Sequence, residues 1–413
     1  MPRVNDTMVA VADKIAAEPR AVRSSHRLQS LDILRGAVMV VMAIDHTRDW
    51  FHYGSFHFAP EDLSMTSVPI FLTRWITHFC APVFIFFAGS SAYLSGRRKT
   101  PRDASRLLLT RGLWLIVVEL TLINIAETGN LSYEFTILQV MWAIGWSMIA
   151  LSFLMYVPWR LLLALSLAVI AGHNTLDHVT AEQFGRLSWL WDVLHVGQVP
   201  LQLSGAHTAI VIYPLIPWIF VMAAGYAFGR VFDLEPQKRR ALLIRLGVAL
   251  TAGFVIVRFT NIYGDPSHWA VQSRFAFTVL SFLNATKYPP SLLYLLMTLG
   301  PAIAVLGLLD GVTVGNAHPL LVFGRVPFFY YVLHWYVLHA IAFVVALGRY
   351  GHAEFLFGLP PSLPVSKGYP PDYGFRLAIV YLIWFAVVAI TYPLCRWFAG
   401  VKSRNRSVVL SYL

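Results

Sequence analysis

Residues 27 to 57, RLQSLDILRGAVMVVMAIDHTRDWFHYGSFH, place an arginine and a histidine at opposite ends of one apolar helix, with ten residues between them and further ionisable groups at both ends. Between Arg35 and Asp45 the chain is apolar or glycine. That stretch is too short to cross a bilayer alone, so a helix here carries Asp32, Arg35, Asp45 and His46 toward membrane depth. Charges there cost about 2.5 to 3.5 kcal/mol each on an insertion scale and face a protein interior or a polar cavity. At about 100° per residue, the eleven-residue step from Arg35 to His46 returns to within about 20° of the same face, about 16 Å further along. One stripe of this helix suits the wall of a polar passage.

The rest of the chain agrees with a membrane setting. Its 413 residues are 57% hydrophobic and only 13% charged, with a mean hydropathy of +0.61, well outside soluble composition. Apolar runs near residues 31–51, 68–95, 107–126, 135–156, 158–174, 207–230, 240–259, 289–310, 326–347 and 375–399 predict an all-α, polytopic membrane helical bundle of about ten transmembrane helices. The fifth run is short, and 316–326 reads either as a re-entrant piece or as an extension of the ninth helix. The net charge of +11 sits in short loops between apolar runs, not on a basic domain with interleaved aromatics, which speaks against a nucleic-acid partner. Cys80 and Cys395 both fall inside apolar runs and support neither a disulfide framework nor a multi-cysteine metal site.

Lys and Arg mark the cytoplasmic side. The N-terminus with Arg20, Arg23 and Arg27, residues 97–111 (RRKTPRDASRLLLTR), Arg160, the run Arg230 to Arg245 and the tail Arg396 to Arg406 fall on one side of the ten-helix scheme. The alternate loops hold few Lys or Arg and most of the loop histidines and tryptophans. Both termini are therefore expected in the cytoplasm, with His46, Asp49, His52 and His57 near the outer face. Residues 1–26 lack an apolar core and read as a disordered cytoplasmic tail rather than a signal peptide. No internal repeat supports an inverted-repeat transporter.

The densest chemistry is Asp45, His46, Arg48 and Asp49, four ionisable groups in five residues. A histidine serves as a general base near neutral pH, and a neighbouring carboxylate orients its ring. The competing reading is an interfacial charge belt at the helix end. Arg35 either snorkels to the interface beside Asp32 or meets an acyl donor, and Gly36 suits close helix packing. His57 and His52 lie in the following loop, where the pair lacks the helix-borne glutamate of a zinc-protease motif, so no metal is expected. In the second run, Pro82 kinks the helix and frees backbone groups, while Ser90 and Ser91 form either a helix contact or a thioester-binding wall. Further internal polar groups are Glu119, Asn124, Gln139, Asn284, Lys287, Ser291, Tyr331, His334 and His339. His334 and His339 are about 140° apart on a helix and do not face one ligand together.

The segments RLQSLDILRG, FIFFAGSS, ILQVMWAIGW, TKYPPSLLYLLMTLG and GRVPFFYYVLH together resemble the bacterial relatives of lysosomal heparan-alpha-glucosaminide N-acetyltransferase, over nearly the whole chain from about residue 27. The wider transmembrane acyltransferase group, including acyltransferase-3 proteins, has a similar pattern of arginine, ten residues and histidine, here Arg35 and His46. The resemblance implies an integral-membrane enzyme over residues 27–400, with a cytoplasmic tail at 401–413. It implies transfer of an acetyl or other short acyl group from cytoplasmic acetyl-CoA to an amine or hydroxyl acceptor, such as a sugar, at the outer face. A bacterial inner membrane and a homodimer accord with it. In the lysosomal enzyme's pattern the active histidine falls on His57, so the catalytic candidates are His46, His57, Asp45 and Asp49. For the donor the candidates are Arg35, Ser90, Ser91 and a basic mouth of Arg97, Arg98, Lys99 and Arg102, and for the acceptor Arg48, Lys287 and His334. The rival is a transporter or proton-coupled permease using the same charge cluster as a relay. A non-catalytic membrane scaffold explains the hydrophobicity but not that cluster.

Overall fold

The computed structural model describes residues 28–205, 207–359, 368–405, 407 and 410. The expected tail at 1–26 lies outside them. The helices are α1 (Gln29–Phe51), α2 (Val68–Thr77), α3 (Cys80–Gly96), α4 (Pro101–Val118), α5 (Asn124–Thr128), α6 (Val140–Leu154), α7 (Trp159–Gly172), α8 (Trp218–Phe228), α9 (Pro236–Thr260), α10 (Phe275–Leu283), α11 (Leu292–Leu309), α12 (Pro319–Arg325), α13 (Pro327–Tyr350) and α14 (Leu377–Arg404). Among the described residues, seven helical stretches are long and apolar enough to cross a membrane: α2 with α3, α4 with α5, Trp159–Leu176, α9, α11, α13 and α14. The chain is an all-α integral membrane protein. α1, α6 and α8 pack among these seven, but α1 is too charged to count by the same measure, and α6 and α8 have only 15 and 11 residues. α14 continues through Arg404, so the first residues of the expected C-terminal tail are helical.

Two of the expected helices begin as strands. β1 (Phe135–Leu138), β2 (Val199–Ser204) and β3 (His207–Val211) form a sheet in the order β1-β3-β2, with β1 parallel to β3 and β2 antiparallel to it. Phe135 faces Thr208 in the register. An apolar run of this length does not by itself separate strand from helix, and β-branched residues in FTIL and HTAIV favour the extended form. The helical part of each run starts later, at Val140 and at Trp218.

The run 68–95 is broken at His78 and Phe79, which join α2 to α3. Pro82 has no N–H to give the carbonyl four residues earlier, at His78. The Tyr294 hydroxyl of α11 donates to that oxygen instead, at 2.7 Å. α4 passes into α5 through a single π-helical turn, Glu119–Ile123.

α1 runs through the middle of the bundle, with 16 of its 23 residues buried, whereas α9 and α14 turn apolar side chains such as Phe259, Leu382 and Phe385 outward. The approach of α12 to α1 is set by a reciprocal glycine pair. A Cβ on Gly36 would lie 1.7 Å from the Leu320 carbonyl oxygen, and one on Gly324 would lie 1.7 Å from the Asp32 carbonyl oxygen. Both positions need glycine because the obstacle is backbone. Gly36→Ala and Gly324→Ala are each expected to lose at least about 1–3 kcal/mol through overpacking, read as a lower thermal midpoint of the purified protein in detergent. Midpoints equal to the parent protein's would show that the two helices do not depend on this contact.

Candidate active site

His46, near the C-terminal end of α1, meets His334 of α13. His46 Nδ1 and His334 Nε2 are 2.8 Å apart, and His334 Nδ1 lies 3.2 Å from the Tyr330 carbonyl oxygen. A carbonyl only accepts, so His334 Nδ1 carries the proton and its Nε2 holds a lone pair. Nδ1 of His46 therefore donates to it, leaving the lone pair of His46 on Nε2. The His46 ring also stacks on Trp335, with centroids 4.1 Å apart, which fixes its plane. His334 is fully buried, while His46 keeps part of its surface accessible. The pair is thus an oriented base with a neutral imidazole behind it.

The carboxylates beside His46 have other partners. Asp45 lies 2.9 Å from Arg48 and 2.6 Å from Arg74 of α2, Arg48 lies 2.5 Å from Asp49, and Arg74 lies 2.5 Å from Glu61. These contacts clamp the end of α1 to α2 and to the loop between them. The expectation that a neighbouring carboxylate orients His46 is thus met by a different group, His334, because both oxygens of Asp45 are turned to arginines. Burial alone would raise the Glu61 carboxyl, but the Arg74 guanidinium and the His78 imidazole hold it well below the usual carboxylate range. Lys287 is buried over the rings of Tyr288 and Tyr213, 5.0 and 6.0 Å from their centroids. His57 is exposed at the end of the 3-10 turn Tyr53–Phe56 and is not among the groups that meet at His46.

At the other end of α1, Arg35 Nη2 donates to the Phe87 carbonyl oxygen at 2.8 Å and to Ser91 Oγ, with Asp32 4.0 Å from Nη1. Arg35 and Ser91 both line a cavity of about 320 Å³, within the range of small-molecule sites. Ser90 points elsewhere and donates to the Gly225 carbonyl oxygen of α8 at 2.9 Å, a helix contact. Arg97 pairs with Asp233 at 2.8 Å. Arg98 and Lys99 are exposed beyond the end of α3, and none of the three lines the cavity.

The cations that do line it are Arg35, Arg111, Arg325 and Lys402, and its walls are otherwise mainly apolar, including Met39, Phe84 and Ile144. Tyr331 also lines it, and the Tyr331 ring stands edge-on to His46 with centroids 6.4 Å apart. One side chain therefore connects the basic cavity with the histidine pair. The Tyr331 hydroxyl makes no hydrogen bond among the described residues. In the sequence Arg111 closes a basic loop; in the structure it lies inside α4 and faces the cavity. Arg325 and Tyr331 both belong to the segment GRVPFFYYVLH that the sequence already set apart.

Residues 27–263 match the family described as Heparan-alpha-glucosaminide N-acetyltransferase, catalytic. The match includes Arg35, His46, Ser91 and Arg111 and ends before Arg325, Tyr331 and His334. No curated protein matches the chain.

The ion-pair clamp makes two measurable differences. Asp45→Ala, which leaves Arg48 and Arg74 without a shared carboxylate, is expected to lose about 3–5 kcal/mol of stability, as for other broken buried pairs. Because the folded Glu61 carboxyl sits below its ordinary value of 4.5, its contribution is complete above that value and is lost as the pH falls through the lower folded one. The stability advantage of the parent protein over Glu61→Gln, followed by thermal unfolding in detergent, should therefore narrow as the pH is lowered below about 4.5. An advantage that widens on acidification would contradict the pairing.

Proposed function

The chain belongs to the heparan-alpha-glucosaminide N-acetyltransferase catalytic family, and from this membership and the site geometry we propose that it transfers an acetyl or other short acyl group from acyl-CoA to an amine or hydroxyl acceptor across the bundle. A sugar is the favoured acceptor class. The donor enters at the Arg35 end, which this reading assigns to the cytoplasm together with both chain termini, and the acceptor arrives at the His46 end. The single observation that carries the proposal is the His46–His334 hydrogen bond next to a tyrosine that also lines a basic cavity.

Arg35, Arg111, Arg325 and Lys402 supply the positive field that the CoA phosphates require. The apolar wall beyond them suits the pantetheine arm, which brings the thioester toward Tyr331. The acceptor nitrogen or oxygen attacks the thioester carbon while His46 Nε2 takes its proton. The carbonyl electrons move to oxygen, where the hydroxyl of Tyr331, which lines the cavity, acts as the oxyanion partner. Collapse of the tetrahedral intermediate breaks the carbon–sulfur bond, and the departing thiolate recovers the proton from His46. His334 acts through His46 and is a positioning residue. Lys287 and Arg48, on the His46 side, are the acceptor-side cations.

Purified protein in detergent, given radiolabelled acetyl-CoA and an aminosugar, tests this reading. His46→Ala should lower kcat by roughly 10²- to 10⁴-fold, His334→Ala should lower it less, and Arg35→Ala should act mainly on KM for the donor. His57→Ala should stay within a few-fold of the parent. Loss of transfer in His57→Ala with His46→Ala still active would move the base to the loop. Solute uptake into proteoliposomes, with no acyl transfer to a broad set of acceptors, would overturn the enzyme in favour of a transporter.

A further inference from the structure

Outside the site described above, α7 ends in the turn His173–Leu176, followed by Asp177. His173 opens this 3-10 turn and Asp177 follows its last residue. His195 reaches them from the turn Asp192–Val196. One ligand atom from each of the three lies within 4.8 Å of the other two. His173 and His195 are each only 2% exposed. Neither nitrogen of either ring, nor Oδ1 of Asp177, makes a hydrogen bond of normal geometry among the described residues. The nearest approach is His195 Nε2 to Asp177 Oδ1, at 3.4 Å.

The carboxylate is also aimed. Asn174 Nδ2 donates to Asp177 Oδ2 at 2.9 Å, while Asn174 Oδ1 accepts from the backbone N–H of Leu292, also at 2.9 Å. Oδ2 is thereby occupied and Oδ1 is left toward the imidazoles, which is the role of an outer partner in a metal site. The Trp191 ring packs 5.0 Å from His195 and closes one side. An enclosed polar group without a partner is costly, and here several of them converge on one carboxylate.

We infer that His173, Asp177 and His195 form a binding site for a zinc-class divalent transition-metal ion. Two imidazoles and one carboxylate are borderline ligands suited to zinc and its neighbours, whereas calcium and magnesium call for oxygen ligands throughout. Four-coordinate zinc, with bonds of about 2.0–2.2 Å, sets its donors about 3.3 Å apart. The His195–Asp177 approach, at 3.4 Å, already has that spacing, and the third ligand, within 4.8 Å, closes in as the ion binds. Asp177, with 14% of its side chain exposed, gives the ion its way in and a place for water as fourth ligand. The bound ion fastens the end of α7 to the turn Asp192–Val196 and, through Asn174, to the start of α11. The sequence expectation of no metal considered the cysteines and the pair His52 and His57. This set joins residues spread from 173 to 195 and shows no compact motif.

The test uses the full chain without a histidine tag, purified in detergent, stripped with chelator and titrated with Zn²⁺ alone. Calorimetry should show one equivalent bound, with a rise in thermal midpoint that follows occupancy. His173→Asn, Asp177→Asn and His195→Asn should each abolish that equivalent. Asn174→Ala, which removes only the aiming bond, should weaken it roughly 10- to 100-fold. If a ligand variant does not fold, X-ray absorption on the unaltered chain with one equivalent of Zn²⁺ decides, because two histidine ligands give a distinct scattering pattern. Absence of stoichiometric binding, unchanged affinity in folded ligand variants, or a spectrum without histidine ligation would each overturn the site.

Discussion

The structure depends on keeping the ionisable groups of α1 away from lipid. Asp32, Arg35, Asp45, His46, Arg48 and Asp49 all lie on this one helix, and each would be costly on an outward face at membrane depth. Enclosing α1 answers that constraint. The reciprocal glycines at 36 and 324 let α12 close on one side at backbone distance, and Trp384 of α14 donates to the Val40 carbonyl oxygen at 2.9 Å. The lipid-facing role then passes to helices such as α9 and α14, which turn apolar side chains such as Phe259, Leu382 and Phe385 outward.

The two ends of α1 satisfy the constraint differently, and the difference gives the site its direction. At the His46 end, three carboxylates and two arginines pair in a chain from Asp49 to Glu61, so most of the charge is cancelled where it is buried. At the Arg35 end, cations outnumber acids around a cavity, with Asp32 4.0 Å from Arg35 as a nearby carboxylate. A neutralised end suits an uncharged reaction centre, and a cationic end suits a polyanionic ligand. The eleven-residue spacing places them about 16 Å apart along one helix face.

Much of this arrangement was legible in the sequence. Hydropathy carried the bundle, because apolar runs of bilayer length have few other uses. The Arg35–His46 spacing carried the axis of the site, because helical periodicity is local. Pairings across the bundle were not legible. Nothing near His46 in the chain indicates that its partner is residue 334, and the adjacent Asp45 was the obvious but different choice. The strands were missed because a run such as FTILQVMWAIGW is mainly apolar on both sides of Gln139 and passes from extended to helical backbone with no break in that pattern. The cavity's cations were hidden for a related reason. Arg111 and Lys402 read as topology markers, and only the folded bundle brings α4 and α14 to the same cavity as Arg35.

The choice of a histidine instead of a carboxylate behind His46 follows from the surroundings. A free carboxylate against an imidazole in an enclosed, low-dielectric region would favour the imidazolium, and a base that is already protonated cannot act. Asp45 is next in sequence to His46 and would pose that problem if its oxygens were uncommitted. Pinned between Arg48 and Arg74, its charge is balanced within 3 Å. His334 accepts from Nδ1 while remaining neutral, and the Tyr330 carbonyl oxygen holds its tautomer. In the proposed transfer, a proton gained at His46 Nε2 would place its charge in line with two rings and a carbonyl. The ion-pair clamp and the histidine pair are therefore coupled in the proposed reaction, where committing the carboxylate to arginines leaves the imidazole to take the acceptor proton.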